Sequence, residues 1–351
     1  MSKPRVYVLD FVRALAILLV CMGHALEQTF HFADTDLWTA QGPVKAMIVV
    51  TLFTIARYSV PFFLFLTGYL FLPREYDEAR TKHFFLHNFA RLLLVTELWI
   101  IVYNVFNAVF WNIPFSAVKL LKQMAFLEGV PAMDHFWYLP MILGIYLFLP
   151  LFAAGLKHIS AKFLLVPAAI VLAAFTIRPA LGFEDASVLE PGFSGGVFGL
   201  YLLLGYLVQQ RVFAKVPVSV VSLVALLGFL GIELTQYLSF RNGDQTIVWY
   251  TWGTLIVSTA CCFELFVRHA APAAEATGFR KFVTFLARYS FAVYLIHFPL
   301  VQIAVRVMYW NTDSAFLTFC AATAFAIVLS FLLAWLLDRI PKVGRYFLYM
   351  R

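Results

Sequence analysis

The first apolar stretch of the chain carries two residues that could do chemistry, Arg13 and His24. At about 100° per residue, a spacing of eleven returns to within about 20° of the same helical face, about 16 Å further along the axis. Arginine favours phosphate, and histidine is the usual general base near neutral pH. The pair therefore suits an elongated anionic ligand whose reactive end reaches His24. Alternatively, Arg13 extends to the membrane interface and His24 makes a polar contact.

A second segment, residues 56–75, places Arg57 near the middle of an apolar run. An ionisable residue at that depth must face protein or water, which makes it a functional hypothesis. Pro61 can kink the helix and free backbone groups. Thr67 and Gly68 form a small polar notch where a ligand or a neighbouring helix could approach closely. The alternative is a structural pair between Arg57 and a carboxylate, beside a notch that serves only helix packing.

Two further segments carry polar side chains within or beside apolar runs. In the first, a cluster opens the fourth apolar run and consists of Asp134, His135, Trp137 and Tyr138. By itself this cluster is typical of an aromatic belt with a surface histidine. In the second, His297 lies mid-run, three residues after Tyr294 and so on the same helix flank. His297 by itself fits a structural or a functional role.

The elements that carry these residues are predicted to be membrane helices. The chain of 351 residues is 62% hydrophobic and 13% charged, whereas soluble domains are about 45–50% apolar and about 25% charged. Runs of about 20 apolar residues predict an all-α integral membrane protein. About ten transmembrane helices are expected, at 6–28, 47–72, 90–112, 136–156, 162–178, 195–210, 216–238, 246–267, 286–307 and 315–337. With no internal repeat or long linker, residues 1–351 are expected to form a single domain.

The distribution of basic residues predicts the orientation. Of the 26 lysines and arginines, 18 fall on one side of the predicted spans, 6 on the other, and 2 within spans. Basic residues collect in cytoplasmic loops, so both termini are expected in the cytoplasm. The net charge of +7 then needs no nucleic-acid partner, and membrane lipid is the expected surroundings. The four cysteines lack metal-ligand spacing, so no metal is expected.

Taken together, the four segments resemble acyltransferase family 3, the multi-span membrane O-acyltransferases of bacterial surface glycans. Arg13 and His24 match its Arg-x10-His signature. PFFLFLTGYLF (61–71), HFWYLP (135–140) and YSFAVYLIHFPL (289–300) are similar to three further family segments, in the same order. One departure is Thr67, which stands where serine is usual and keeps the hydroxyl. The sequence looks most similar to the group of the enterobacterial common antigen O-acetyltransferase.

The resemblance implies a transfer reaction at the bacterial cytoplasmic (inner) membrane. An acyl group, usually acetyl, would move from cytosolic acyl-CoA to a hydroxyl of a surface polysaccharide or lipid-linked glycan at the outer face. In the family, the arginine of the first span is tied to the donor and the histidine to catalysis. Acetyl-CoA is thus the expected donor substrate, and the glycan is the expected acceptor partner.

The remaining site residues receive roles in this reaction. The donor is expected to meet Arg13, with Thr67, Arg74 and Arg91 as further contacts. His24 would take the proton of the acceptor hydroxyl or form a covalent acyl-histidine. Arg57 is the first candidate donor to the oxyanion, and His135 or Tyr138 are others. The glycan is expected to contact Asp134, Trp137, Tyr138 and His297.

Two other function classes fit the same composition. A multi-span transporter or exporter of a glycan or small polar substrate would also carry charges inside the membrane, although such proteins often show repeats. A non-catalytic membrane scaffold for polysaccharide synthesis would need neither Arg13 nor His24. Uptake without acyl-CoA would favour the transporter, and dispensable Arg13 and His24 would favour the scaffold.

Overall fold

The computed structural model describes residues 6–32, 41–180, 196–244, 246–270, 277–309 and 314–350, without the side chains of 177–180 and 309. These ranges are helical and contain no strand. The α-helices are α1 (Tyr7–Phe30), α2 (Pro43–Ala56), α3 (Ser59–Phe71), α4 (Glu78–Phe84), α5 (Ala90–Phe110), α6 (Ala117–Met124), α7 (Tyr138–Leu156), α8 (Leu165–Ala180), α9 (Gly196–Gln209), α10 (Val218–Arg241), α11 (Gly253–Arg268), α12 (Gly278–Tyr309), α13 (Ala315–Asp338) and α14 (Pro341–Tyr346).

Seven helical stretches of the described chain are long and apolar enough to cross a membrane: Tyr7–Phe30, Pro43–Phe71, Glu78–Phe110, Asp134–Leu156, Val218–Arg241, Gly278–Met308 and Ala315–Asp338. Two shorter apolar helices, Ala161–Thr176 and Gly196–Gln209, coincide with the fifth and sixth predicted spans. An all-helical chain with these helices is consistent with the expected integral membrane protein. The count of ten spans and the cytoplasmic termini stay predictions.

The second predicted span is interrupted at Arg57. Helix α2 ends at Ala56 and α3 begins at Ser59. Pro61 lacks an N–H, so it cannot donate to the carbonyl of Arg57 four residues earlier. The Arg57 and Tyr58 N–H groups still bond to the carbonyls of Phe53 and Ile55. The break predicted from Pro61 thus occurs just before it, at the residue with the buried charge.

The chain divides into two compact units, each made of two separated stretches. The first unit is Met1–Glu75 with Leu151–Arg288, and the second is Tyr76–Pro150 with Tyr289–Arg351. Because each unit joins distant parts of the sequence, neither is a continuous domain. The expectation of one domain over 1–351 stays a prediction.

In the first unit, α1 packs against α2 and α3, α3 packs against α9, and α10 packs against α11. The contact of α3 with α9 is made by facing glycines. A Cβ on Gly68 would overlap the backbone of Leu202, and one on Gly205 would overlap the backbone of Phe65. The notch predicted at Gly68 therefore receives a neighbouring helix. Small residues of this kind let membrane helices approach closely.

In the second unit, α5 holds the end of the chain. Trp99 Nε1 donates to the Phe347 carbonyl at 2.8 Å, and Leu348 is fully buried. Residues 111–133 connect the end of α5 to a single 3₁₀ turn over Asp134–Trp137, which leads into α7. This turn carries the predicted cluster around His135.

Candidate functional site

The histidine of the first helix is paired with a carboxylate one turn later. His24 Nδ1 lies 2.7 Å from Glu27 Oε2, and the side chains of His24 and Glu27 are 17% and 28% exposed. An ionised carboxylate only accepts hydrogen bonds, so Nδ1 carries the proton and donates it to Glu27. In the neutral ring, Nε2 then holds the lone pair. A carboxylate that fixes the tautomer and stabilises the protonated ring is how a histidine base is oriented in acyl-transfer enzymes.

The second oxygen of the same carboxylate accepts from Arg57. Arg57 Nη2 donates to Glu27 Oε1 at 2.9 Å, and Nη1 donates to the Tyr250 hydroxyl at 3.1 Å. The structure therefore brings together His24 and Arg57, through Glu27. The alternative of a structural pair between Arg57 and a carboxylate describes this contact correctly, and the carboxylate also holds the histidine.

Aromatic rings surround the guanidinium of Arg57. Its Cζ lies 4.3 Å from the ring centroid of Phe53, 4.4 Å from that of Trp249 and 5.1 Å from that of Tyr250. The residue is only 8% exposed. Each such contact contributes about 0.5–2 kcal/mol, more where water is excluded. The cage fixes the guanidinium, and the guanidinium in turn fixes the carboxylate of Glu27.

The segment between α10 and α11 supplies Trp249 and Tyr250 to this cage. The Tyr201 hydroxyl donates to the carbonyl of Tyr250 at 2.9 Å. Gln236 accepts from the N–H of Val248 at 2.9 Å and donates to Thr54 Oγ1 at 2.9 Å. A buried amide thus ties this segment to α2, one turn before Arg57. These bonds satisfy backbone groups that would otherwise be unpaired inside the protein.

Arg13 lies at the other end of α1. Its Nη1 donates to Asp10 Oδ1 at 3.2 Å, and its side chain is 30% exposed, whereas that of Asp10 is 6% exposed. Helix α1 runs unbroken from Tyr7 to Phe30, so the predicted separation of about 16 Å from His24 holds. Arg13 and His24 therefore lie on one helical face, toward its two ends. Each has an acidic neighbour, Asp10 for Arg13 and Glu27 for His24.

Two other predicted donor contacts of the first unit make local bonds. The Thr67 hydroxyl donates to the carbonyl of Phe63 at 2.9 Å, as helical threonines often do. Arg74 is exposed, donates from Nε to the carbonyl of Leu70 at 2.7 Å, and lies over the ring of Phe71 at 4.1 Å. Arg74 keeps further N–H groups for a ligand, whereas the hydroxyl hydrogen of Thr67 is already used.

Arg91, predicted to meet the donor, binds the end of the chain within the second unit. Its Nε and Nη2 donate to the carbonyl of Arg345 at 3.1 and 2.9 Å, and Nη2 also donates to the carbonyl of Met350. Its Cζ lies 4.7 Å from the ring centroid of Tyr349. These contacts give Arg91 a structural role, and its predicted role toward a donor stays a prediction.

His135 and His297 meet in the second unit. His135 is 1% exposed, so the alternative of a surface histidine is wrong, and His297 is fully buried. Their ring centroids lie 5.4 Å apart. The Tyr103 hydroxyl donates to the carbonyl of Leu295 at 2.7 Å and lies 3.1 Å from His135 Nε2. Since the single hydroxyl hydrogen is used on Leu295, His135 Nε2–H donates to the Tyr103 oxygen.

The tautomer of His297 follows from the same argument. Its Nδ1 lies 2.7 Å from the carbonyl of Tyr294 and 3.1 Å from that of Val293. Carbonyls only accept, so Nδ1 donates. The Tyr294 hydroxyl donates to the carbonyl of His135 at 2.8 Å. The predicted pairing of Tyr294 and His297 on one flank thus takes part in a buried network that also fixes the turn carrying His135.

The other predicted acceptor contacts lie beside this network. Asp134 is exposed, and Trp137 and Tyr138 are half-buried. The rings of Tyr138 and Tyr294 have centroids 5.6 Å apart, and those of Trp137 and Tyr138 are 6.1 Å apart. The structure thus clusters His135, His297 and Tyr138, which the sequence had placed in two separate segments.

Sequence reasoning missed Glu27 and Tyr250. Glu27 had a signal, since a carboxylate three residues after His24 lies on the same helix flank. Tyr250 had none, because it lies 193 residues from Arg57. Within the ranges that the structure describes, no group of three histidine, cysteine, aspartate or glutamate residues is placed to hold a metal ion.

Comparison with known proteins gives one match. A family model described as an acyltransferase domain, that of acyltransferase family 3, matches residues 6–335. No curated protein and no solved structure match the chain. The match covers nearly all of the chain and includes both the His24–Glu27–Arg57 network and the histidine cluster of the second unit.

Proposed function

Because this chain belongs to acyltransferase family 3, we propose that it is a membrane O-acyltransferase that moves an acyl group from acyl-CoA to a glycan hydroxyl. The observation that carries the proposal is the His24–Glu27 pair, 2.7 Å apart, on the helical face that also carries Arg13. It provides a base with an orienting carboxylate at one end of the helix. It also provides a cation for an anionic donor at the other end.

In the proposed reaction, Nε2 of His24 takes the proton of the acceptor hydroxyl as its oxygen attacks the thioester carbonyl. The tetrahedral intermediate collapses, the carbon–sulfur bond breaks, and the CoA thiolate takes the proton from Nε2. Glu27 stabilises the protonated ring between the two steps. In the covalent alternative, Nε2 itself attacks the thioester, and CoA leaves as its thiolate. The hydroxyl oxygen then attacks the acyl-histidine, the bond from the acyl carbon to Nε2 breaks, and the hydroxyl proton passes through the freed Nε2 to the CoA thiolate.

The donor is proposed to be acetyl-CoA, lying along α1 with its phosphates toward Arg13. Arg74 is exposed and is a second candidate for a phosphate contact. A guanidinium suits phosphate because its planar donors match two oxygens at once. With its orienting carboxylate, His24 would meet the thioester about 16 Å further along the helix. This placement is supported by the unbroken helix Tyr7–Phe30.

Arg57 is proposed to position Glu27, in addition to its earlier assignment to the oxyanion. Both of its terminal nitrogens donate, to Glu27 and to Tyr250. The Nε–H has no hydrogen-bond partner within the described part of the protein. That group, together with the second N–H of each terminal nitrogen, is a donor through which Arg57 could still serve the oxyanion. His135 and Tyr138 stay the other candidates.

The acceptor is proposed to be a surface polysaccharide or lipid-linked glycan at the outer face of the bacterial inner membrane. Asp134, Trp137, Tyr138 and His297 are its proposed contacts, since aromatic rings beside polar groups suit a sugar. Support comes from the buried network that fixes this cluster. A glycan related to enterobacterial common antigen is the first to assay.

The test measures transfer of radiolabelled acetyl from acetyl-CoA to glycan in vesicles containing the purified protein. His24→Ala is expected to lose transfer by about 10²–10⁴-fold, the usual contribution of a general base. His158→Ala, which changes an exposed histidine, should keep the normal rate. Normal transfer by His24→Ala would refute the mechanism, and glycan uptake without acetyl-CoA would favour a transporter.

A further inference from the structure

The short helix α6 (Ala117–Met124) carries different kinds of side chain on its different sides. At about 100° per residue, Lys119 and Lys122 project on one side, and Ala117, Leu121 and Met124 project on the opposite side. Gln123 and Val118 lie between these two sides, on opposite flanks of the helix; Gln123 is buried in the protein and Val118 is exposed. Viewed along its axis, the helix therefore has a lysine side and an opposite apolar side, and Gln123 attaches it to the protein.

The attachment of α6 is specific and buried. The Gln123 side chain is 2% exposed, and its Oε1 accepts from Asn104 Nδ2 at 2.6 Å. Asn104 belongs to α5, against which α6 packs. The helix start is capped by Ser116, whose hydroxyl accepts from the N–H of Lys119. The orientation of α6 about its axis is thus set by Gln123, and the lysines and the apolar side follow from it.

The apolar residues on and beside α6 are exposed. Leu121 is 66% exposed and Val118 is 64%, and Leu127, just after the helix, is 78% exposed. A cluster of large exposed apolar side chains marks an interaction surface rather than ordinary surface. Since Lys119 and Lys122 border it, the surface combines apolar area with two positive charges.

The place of α6 in the chain puts this surface at the edge of the membrane. Helix α5 ends at Phe110, and the next long apolar stretch begins at Asp134. Between them lie Trp111 and Phe115, aromatic residues of the kind that mark the membrane–water interface. A third cation, Arg306, donates to the carbonyl of Phe110 at 2.9 Å and lies 5.4 Å from the ring centroid of Trp111.

We propose that α6 is an interfacial helix that docks on a bilayer surface of anionic phospholipid. Leu121, Val118 and Leu127 would enter the boundary between head groups and acyl chains, as in other interfacial amphipathic helices. Lys119 and Lys122 would bind lipid phosphates above it. Positive charge next to apolar area matches an anionic lipid surface, whereas the same face of a second copy of this chain carries the same two lysines and would repel them.

Helix α6 is connected along the chain to His135, which belongs to the histidine cluster of the second unit. Asn107 donates to the carbonyl of Pro131 at 2.6 Å, and Gln302 donates to that of Ala132 at 2.7 Å. Both carbonyls lie within four residues of His135 along the chain. The connection from α6 to the turn over Asp134–Trp137 is therefore held by protein at both ends, and lipid bound by α6 would add a third attachment.

The experiment uses the full-length protein in vesicles of equal phosphatidylcholine and phosphatidylglycerol. A photo-reactive benzophenone amino acid replaces Leu121 in one protein and Val118 in another, and intact mass spectrometry identifies the adducts formed on illumination. The control position is Asp244, exposed in the turn after α10. Lipid adducts are expected at Leu121 and Val118 well above Asp244. Phosphatidylglycerol should be enriched over phosphatidylcholine by about fivefold for each contributing lysine.

The lysines are tested by changing Lys119→Gln together with Lys122→Gln. The enrichment should fall toward one, whereas Lys45→Gln, which removes an exposed lysine of α2, should leave it unchanged. Adducts no more frequent than at Asp244, or covalent dimers in place of lipid adducts, would overturn the docking. Enrichment that persists in the double variant would overturn the role of the lysines. None of these readouts requires acyl transfer.

Discussion

Glu27 is the residue that links His24, the proposed base, to the buried cation of Arg57. One of its oxygens accepts from His24 and the other from Arg57. A shared carboxylate of this kind serves two purposes with one group: it orients the imidazole, and it balances the guanidinium that burial would otherwise destabilise. Removing it leaves a buried arginine without its ion pair, which typically costs about 3–5 kcal/mol. The amide substitution is milder, because it keeps the size of the side chain and one acceptor oxygen.

Glu27→Gln is expected to lower kcat for acyl transfer by about 10²–10⁴-fold, the range for losing an effective general base. Glutamine has one acceptor oxygen and its amide nitrogen only donates, so it cannot accept from His24 and Arg57 through two oxygens, and the ring loses its fixed orientation. KM for acetyl-CoA should stay near the wild-type value, because the donor is proposed to bind at Arg13. Initial rates over a range of acetyl-CoA concentrations measure both constants.

The matched control is Glu78→Gln, which changes an exposed glutamate in the first turn of α4. It should behave like the wild type in both constants. A Glu27→Gln protein with normal kcat would show that His24 needs no carboxylate. An equal loss in Glu78→Gln would point to a general effect of charge on the preparation.

The elements of the first unit are positioned by one proline and two glycines. Pro61 leaves the carbonyl of Arg57 without its helical donor. The arginine therefore lies where α2 stops and can turn its guanidinium into the cage of rings. Gly68 and Gly205 let α3 and α9 approach until backbone contacts backbone. The position of α3 against α9 therefore depends on the absence of two Cβ atoms, and the start of α3 follows directly on the Arg57 segment.

Gly68→Ala is expected to destabilise the first unit by about 1–3 kcal/mol, the usual cost of inserting a methyl group into a packed contact. The added carbon meets backbone atoms of Leu202, which cannot rotate away as a side chain could. Thermal unfolding of the purified protein in detergent measures the effect as a lower midpoint.

The comparison variant is Gly144→Ala in α7, where an added Cβ meets nothing within 4 Å. Alanine is the better helix former, so this variant should be unchanged or more stable. If Gly68→Ala melts at the same temperature as Gly144→Ala, α3 and α9 do not need close contact.

The two compact units form the whole molecule from interleaved parts of the sequence. The first takes the beginning of the chain and its middle, and the second takes the remainder and the end. Each unit holds one of the two sets of predicted site residues, one around His24 and the other around His135. How the chain is inserted in the membrane is a property of the whole molecule, since it depends on basic residues in every loop.

Both ends of the chain are expected in the cytoplasm, because 18 of the 26 lysines and arginines lie on the side of the N-terminus. Alkaline phosphatase fused after residue 351 should be inactive, since it folds only outside the cytoplasm, and green fluorescent protein at the same place should fluoresce. Phosphatase inserted after Asp244, in the predicted outer turn, is the reciprocal control. Active phosphatase at the C-terminus would show that the C-terminus lies outside the cytoplasm, contrary to the prediction.

The all-helical character of the chain and the alignment of Arg13 with His24 could be predicted from the sequence. Both are local properties: apolar length requires a helix in lipid, and a spacing of eleven residues fixes a shared face. The break at Arg57 also followed from one nearby proline. The family motifs were local too, so the membrane acyltransferase class could be predicted before any contact was known.

The contacts of those residues could not be predicted from the sequence, because they depend on how distant helices pack. Arg57 meets Glu27 from 30 residues away and Tyr250 from 193 residues away. His135 meets Tyr103 and, across the fold of the second unit, His297. Helical periodicity sets directions within one helix, whereas which helices adjoin depends on packing among all of them. The charge of Arg57 is therefore evident from the sequence. That Glu27, which also contacts His24, neutralises this charge follows only from the packing of the helices.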